Sequence, residues 1–117
     1  MMNDRPSGIA AEELAARYLA ARGLRVVARN YRCRFGEVDL IMQDGDVLVF
    51  VEVRLRRSDR FGGALASITR AKQRKLVATA RFYLSGRERI PGCRFDAIVL
   101  DALDEARIEW LRDIIAE

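Results

Sequence analysis

Histidine is absent from the 117 residues of the chain, and cysteine and lysine occur only twice each. Without histidine, the chain cannot use a His-based catalytic triad, a His-ligated zinc ion or a histidine general base. Cys33 and Cys93 form no close-spaced metal motif, and we interpret them as small hydrophobic residues of a reduced protein. Any catalysis must therefore depend on carboxylates, hydroxyls, lysine, arginine, a cysteine or a bound metal.

Long hydrophobic runs are also missing. No stretch approaches the roughly 20 apolar residues that a membrane-spanning helix needs, and the opening MMNDRPSG lacks the apolar segment of a signal peptide. We therefore expect a cytoplasmic protein with no membrane partner. The length favours one domain over residues 8–117, preceded by a flexible tail over residues 1–7.

Hydrophobic periodicity and turn residues divide the chain into helices and strands. In chain order they predict a helix over 9–22, a strand over 24–33, a hairpin over 36–56, a helix over 66–84 and a strand over 94–101. The segment 107–115 is compatible with a strand, a helix or one running into the other. The order α-β-β-β-α-β predicts an α/β fold with a mixed central sheet flanked by helices.

The predicted hairpin, GEVDLIMQDGDVLVFVEVRLR, carries carboxylates within two apolar strands. Asp44-Gly45 between the two runs indicates a two-residue turn. With this pair at the centre of the turn, Asp39 lies opposite Phe50 and Glu37 lies opposite Glu52. Alternation then places Glu37, Asp39, Glu52 and Arg54 on one face of the sheet, and Val38, Leu40 and the valines at 47, 49, 51 and 53 on the other.

Carboxylates that share one face of a strand pair repel each other, and burying them unpaired costs more. A divalent cation such as Mg²⁺ would offset that repulsion, because hard cations bind carboxylate and carbonyl oxygens. A network of surface salt bridges with nearby arginines is the alternative, and alternation does not exclude it. Glu12 borders the apolar stripe of the first helix, where it either reaches over the sheet toward the same ion or extends into water.

Arginine accounts for 19 of the 21 basic residues, and the net charge is +4. The planar guanidinium suits phosphate, so nucleic acid is a candidate partner, although codon bias and a solvated surface would give the same composition. On the second helix, Lys72 flanks the buried stripe and Gln73 lies inside it, where the amide needs a hydrogen-bond partner. The arginines proposed to contact phosphate are Arg70, Arg74 and Arg81 on the far side of that helix and Arg56, Arg57 and Arg60 in the preceding loop.

Several motifs together carry a family resemblance. They are Glu12-x-x-Ala15-x-x-Tyr18-Leu19, Arg29-Asn30-Tyr31, GEVDLI, LVFVEVR, ITRAKQRKL, ARFYL and RFDAIVL. Over residues 8 to 111 the chain resembles the YraN family of small bacterial proteins, which is similar to archaeal Holliday-junction resolvases of the PD-(D/E)xK nuclease superfamily. The resemblance implies a restriction-endonuclease-like fold.

The resemblance also implies a site. Asp39 and Glu52 would bind Mg²⁺ or Mn²⁺ together with the backbone carbonyl of Val53, and Glu12 matches the helical glutamate of the resolvases. The superfamily lysine falls on Arg54, which can stabilise phosphate charge but has too high a pKa to act as a base. We expect the remaining contributions to come from Lys72, as a replacement ammonium group, and from Glu37 and Gln73 as auxiliary residues.

Two functions follow from this reading. The first is a metal-dependent endonuclease that hydrolyses branched or otherwise structured DNA in repair or recombination. The second is a non-catalytic nucleic-acid-binding module with a degenerate nuclease site. A scaffold that binds only proteins would leave the carboxylate face unexplained. Because resolvases cut symmetrically as dimers, the resemblance is compatible with a homodimer.

Overall fold

A computed structural model describes residues 6–56 and 68–115 of the chain, with side chains from residue 8 onward in the first range. Its elements are α1 (Pro6–Ala21), β1 (Arg25–Cys33), β2 (Gly36–Asp44), β3 (Val47–Leu55), α2 (Arg70–Leu84), β4 (Gly92–Leu100), a 3-10 turn (Glu105–Arg107) and β5 (Glu109–Leu111). This order confirms the predicted α/β class and its α-β-β-β-α-β core. None of the described helices is long and apolar enough to cross a membrane.

The two described helices begin at residues whose chemistry suits a helix start. Helix α1 begins at Pro6 rather than at the predicted Ile9, because proline fits the first helical position, where the missing N–H would have no partner. Residues 1–5 of the predicted tail lie outside the described residues. Helix α2 is capped by Thr69, whose side chain accepts a hydrogen bond from the backbone N–H of Lys72 at 3.2 Å.

The five strands form one mixed sheet in the order β1-β2-β3-β4-β5. Strands β3 and β4 are parallel, and all the other neighbours are antiparallel. Helix α1 packs on one face, against a cluster that includes Leu40, Met42 and Val51. Helix α2 packs against a second cluster that includes Ile41 and Phe50. The side chains of β2 and β3 thus fill two cores, one under each helix.

The predicted register of the β2–β3 hairpin is wrong by two residues. Asp44 pairs with Val47 and Ile41 with Phe50, so the turn consists of Gly45 and Asp46 rather than Asp44 and Gly45. Gly45 has φ +59, which is the backbone conformation that a type II′ turn requires of its first central residue. A change of partner by two residues leaves each side chain on its face. Glu37 is therefore not opposite Glu52, although Asp39 and Glu52 still approach from neighbouring strands.

The regular alternation of β2 fails at Asp39. Leu40 packs under α1, as expected, whereas Val38 packs in the cluster under α2 and so departs from its predicted face. The residue pairing between β2 and β3 extends from the turn only as far as Leu40 and Val51. Beyond that pair, the carboxylate of Asp39 accepts the backbone N–H of Val53 at 2.8 Å. A side chain thus takes the place of a backbone acceptor where the two strands separate.

The C-terminal segment resolves the alternatives left open by the sequence, because it forms a 3-10 turn and then the short strand β5 against β4. Asp96 on β4 is fully buried and anchors this segment. Its carboxylate accepts hydrogen bonds from Arg94 Nε at 3.0 Å, from Trp110 Nε1 at 2.9 Å and from the Asp113 backbone N–H at 2.9 Å. Sequence reasoning missed Asp96, although the Arg94-x-Asp96 spacing places both side chains on one face of a strand.

Candidate active site

An open pocket of about 570 Å³ lies where β2 and β3 separate, bordered by the first turns of both helices. It brings together most of the residues that the sequence singled out. Those that line it are Glu12, Glu37, Asp39, Glu52, Val53, Arg54, Arg56 and Lys72. The pocket also contains Lys75, which was not among the predicted site residues. Its position one turn after Lys72 was the available signal.

The remaining predicted residues lie elsewhere. Gln73 does not line the pocket, and its amide donates a hydrogen bond to the backbone oxygen of Ile68 at 3.3 Å. With Ile114 and Ile115, it borders a second groove beside α2, whose basic residues are Arg70, Arg74 and Arg81. The predicted basic ridge is thus a surface separate from the carboxylate pocket. Arg57 and Arg60 lie outside the described residues.

The two central carboxylates are almost completely buried. Asp39 is 8% exposed and Glu52 is 9% exposed. The Val53 N–H fixes one oxygen of Asp39, and the guanidinium of Arg54 forms an ion pair with Glu52. Glu37 lies at the rim instead, where it is half exposed and paired with Arg32 at 3.0 Å. The structure therefore separates two inner carboxylates from one outer carboxylate.

Burial makes ionisation of these carboxyl groups costly. It is the main reason why the pKa of Glu52 is raised to about 7, and the negative charge of Asp39 adds to the effect, whereas Arg54 and Lys72 oppose it. Burial followed by the charge of Asp39 likewise raises the pKa of Glu12 to about 7. The pKa of Asp39 is also raised by burial, against the hydrogen bonds from Val53 and Glu12. Glu12 and Glu52 therefore titrate near neutral pH, and their titrations are linked to that of Asp39 through charge.

The oxygen ligands in the pocket fit a hard divalent cation. The carboxylates of Asp39 and Glu52 and the carbonyl of Val53 are the ligand type that Mg²⁺ and Mn²⁺ prefer. A positive charge would favour the ionised carboxylates, whose pKa values are raised by burial and by mutual repulsion. Across 8–56 and 68–115, no three acidic or cysteine side chains are grouped closely enough to hold a metal on their own. An ion bound here would therefore complete its shell with the backbone carbonyl and water.

Positive charge faces the carboxylates from β3 and α2. One terminal nitrogen of Arg54 binds Glu52, while its Nε is buried and has no hydrogen-bond partner among the described residues. Such a donor is costly to leave unpaired and is suited to an incoming anionic oxygen. Burial and the charge of Arg54 lower the pKa of Lys72. The pocket thus combines acidic groups that can bind a cation with basic groups that can bind a phosphate.

The fold and the pocket define an α/β protein consistent with a nuclease-like fold, with an acidic site at the fork of two central strands. The chain belongs to the family described as Uncharacterised protein family UPF0102, whose model matches residues 11–100. It is 54% identical over 110 residues to a UPF0102 protein of Nitrosomonas europaea, covering 94% of this chain and 93% of the relative. It is 57% identical over 112 residues to a UPF0102 protein of Ralstonia nicotianae, covering 92% and 84%. These matches confirm the expected family, for which YraN and UPF0102 are two names.

Proposed function

We propose that the protein is a metal-dependent endonuclease that hydrolyses phosphodiester bonds of branched or otherwise structured DNA. The observation that carries the proposal is the pair of nearly buried carboxylates, Asp39 and Glu52, which line one open pocket together with Arg54 and Lys72. Two buried like charges are destabilising unless the site binds something that offsets them. A divalent cation and a phosphate together satisfy both halves of the pocket.

Asp39, Glu52 and the Val53 carbonyl would hold Mg²⁺ or Mn²⁺, which when bound acidifies a water molecule and stabilises charge on the phosphate. The Val53 N–H keeps the Asp39 carboxylate in a fixed orientation. Arg54 can donate from Nε to a phosphate oxygen, and the Lys72 ammonium adds positive charge beside it. Glu12, with its pKa near 7, is suited to accept a proton at its carboxylate.

The ion pair between Arg54 and Glu52 favours a second candidate function. Arginine replaces the lysine of the superfamily, and here its guanidinium engages a carboxylate that the metal would need. A site closed in this way would leave a non-catalytic nucleic-acid-binding module. The two functions differ in whether the pocket turns over its substrate.

Cleavage assays with Mn²⁺ on four-way, flapped, linear duplex and single-stranded DNA separate the two functions. For the endonuclease, we expect Asp39→Asn to abolish cleavage without weakening DNA binding, and Arg54→Ala to reduce cleavage. Arg54→Lys should preserve or raise it, since it restores the superfamily residue. Asp46→Asn, which removes an exposed carboxylate from the turn of the same hairpin, is the matched control and should cleave like the wild type.

A wild-type protein and an Arg54→Lys variant that are both inert on every substrate, while DNA binding persists, would establish the binding module. Crystals soaked in Mn²⁺ give a readout independent of turnover, because the endonuclease proposal requires an ordered ion between Asp39 and Glu52.

The same proposal assigns the protein to cytoplasmic repair or recombination and includes a homodimer that makes paired cuts. Light scattering with and without a four-way junction tests the dimer.

A further inference from the structure

Two exposed phenylalanines lie side by side at the tip of the β1–β2 hairpin and on the last turn of α2. Phe35 is 41% exposed and Phe82 is 40% exposed, and their ring centroids are 5.7 Å apart at an angle of 60°. The Arg34 guanidinium carbon lies 5.0 Å from the centroid of Phe35 and 5.9 Å from that of Phe82. We call Arg34, Phe35 and Phe82 the aromatic cluster.

The aromatic cluster continues directly from the carboxylate pocket. Gly36, next to Phe35, lines the pocket and lies so close to α2 that a Cβ there would be 3.1 Å from Thr79 Oγ1 and 3.5 Å from Lys75 Cβ. Lys75 lines the pocket too, and Phe82 follows it by two helical turns on the same side of α2. With a rise of 1.5 Å per residue, Phe82 lies about 10 Å along the helix from Lys75, whereas Phe35 adjoins the pocket through Gly36.

We propose that the aromatic cluster stacks an unpaired base of the nucleic acid whose phosphate occupies the pocket; this inference rests on the proposed function and narrows its substrate class. Aromatic rings stack on any base, and an arginine beside them adds cation–π and phosphate contacts. The polar surroundings suit a polyanion, because Arg34 and Lys75 are basic while the nearby Glu37 is neutralised by Arg32.

The distance along α2 restricts which nucleic acids can reach both the pocket and the aromatic cluster. At the roughly 3.4 Å per nucleotide of a stacked strand, about three nucleotides cover the roughly 10 Å from Lys75 to Phe82. Bases inside a continuous duplex are stacked on each other and are not available to a protein ring. The preferred substrates are therefore nucleic acids with an unpaired stretch within about three nucleotides of the phosphate in the pocket, such as flaps and branch points.

The test is equilibrium binding in EDTA, where no cleavage occurs, to a blunt DNA hairpin and to the same hairpin with a single-stranded tail. The tail contains the fluorescent base 2-aminopurine, whose emission is quenched by stacking. We expect the wild type to bind the tailed hairpin more tightly and to quench its fluorescence. The double variant Phe35→Leu with Phe82→Leu keeps apolar bulk but has no ring. It should lose about fivefold to 100-fold in affinity for the tailed hairpin only.

Two further variants control this comparison. Phe82→Trp retains a stacking ring and should keep both the preference and the quenching. Leu103→Ala, which alters a residue of equal exposure outside the aromatic cluster (43%), should behave like the wild type. If the double variant does not fold by circular dichroism, Phe82→Leu alone, at an exposed helical position, gives the same comparison.

The inference would be overturned if the wild type bound the two hairpins with equal affinity, bound neither, or did not quench the fluorescence. It would also be overturned if the leucine variant lost equal affinity for both hairpins. Failure of the nuclease proposal gives a different result. A protein that cleaves nothing but still shows a ring-dependent preference for the tail retains the stacking site without the endonuclease. A protein that cleaves tailed and blunt substrates equally, without quenching, retains the endonuclease without the stacking site.

Discussion

Replacement of Glu52 by glutamine removes one buried charge while keeping the shape of the side chain. In the wild-type protein, burial raises the pKa of Glu52 from 4.5 to about 7, with a contribution from Asp39 and opposition from Arg54 and Lys72. The folded protein therefore holds a proton on Glu52 that the unfolded chain has released between these two pH values. By linkage, the associated stability is fully present below pH 4.5 and is lost as the pH rises through about 7.

The size of this effect follows from the shift and from the environment of the group. One pKa unit corresponds to about 1.4 kcal/mol, so Glu52 destabilises the folded protein by about 3 kcal/mol at pH 8 relative to pH 4. Only 11% of its side chain is exposed, so screening by solvent changes this little. Glutamine does not titrate. As the pH rises from 4 to 8, the free energy of unfolding of Glu52→Gln should therefore increase by about 3 kcal/mol relative to that of the wild type. This corresponds to about 10 °C in melting temperature.

Urea unfolding at a series of pH values from 4 to 8 measures this difference directly. Glu13→Gln is the matched control, because Glu13 is a half-exposed glutamate of α1 paired with Arg29 at 2.9 Å. Such surface pairs contribute less than about 1 kcal/mol, so its curve should run parallel to that of the wild type. Added Mn²⁺ should stabilise the wild type at pH 8 and leave Glu52→Gln unchanged. Parallel curves for the wild type and Glu52→Gln would refute the argument that burial makes this carboxylate costly.

Three further outcomes test other parts of the structure. Gly36→Ala should cost about 1–3 kcal/mol in urea unfolding, because Gly36 has φ +148 and a Cβ would press on Thr79; an unchanged midpoint would contradict this packing. Asp96→Ala should cost about 3 kcal/mol, since it removes a fully buried carboxylate and leaves partly buried donors of Arg94 and Trp110 without it, whereas loss of the exposed Asp104 cap should cost about 1 kcal/mol. Neutralising three arginines of the second groove should flatten the log–log salt dependence of DNA binding by about three units if they contact phosphates, and an unchanged slope would make them ordinary surface. Those arginines are Arg70, Arg74 and Arg81.

The period of two along a strand explains why most side chains of the hairpin, Val38 excepted, could be assigned to the correct face although the register was wrong. In Asp44-Gly45-Asp46, both the first and the second pair are good turn sequences, and the two choices differ by two residues in strand pairing. Both choices leave Asp39 and Glu52 on the same face. The preference for Gly45 at the first central position depends on the twist of the whole strand pair, which local sequence does not encode.

The break in alternation at Asp39 could not be predicted from the sequence pattern. Alternation assumes that each strand residue bonds through its backbone, whereas the Asp39 carboxylate accepts the Val53 N–H and displaces Val38 to the other core. Gln73 illustrates a second limit. Helical periodicity separates the buried stripe of α2 from its exposed side, but it does not determine which flank borders the pocket. That depends on how the helix is placed over the sheet.

Strand β5 protects the edge of β4 against pairing with another chain. An exposed sheet edge presents unpaired backbone groups that can bind another chain. Strand β4 is buried along most of its length, so its outer edge would be an apolar template if it were uncovered. Three residues of β5 cover it at Ala97, Ile98 and Val99, and the bonds from Trp110 and Asp113 to Asp96 keep them in place. Cleavage of the chain before Glu109 would therefore convert an inner strand into an edge that favours aggregation.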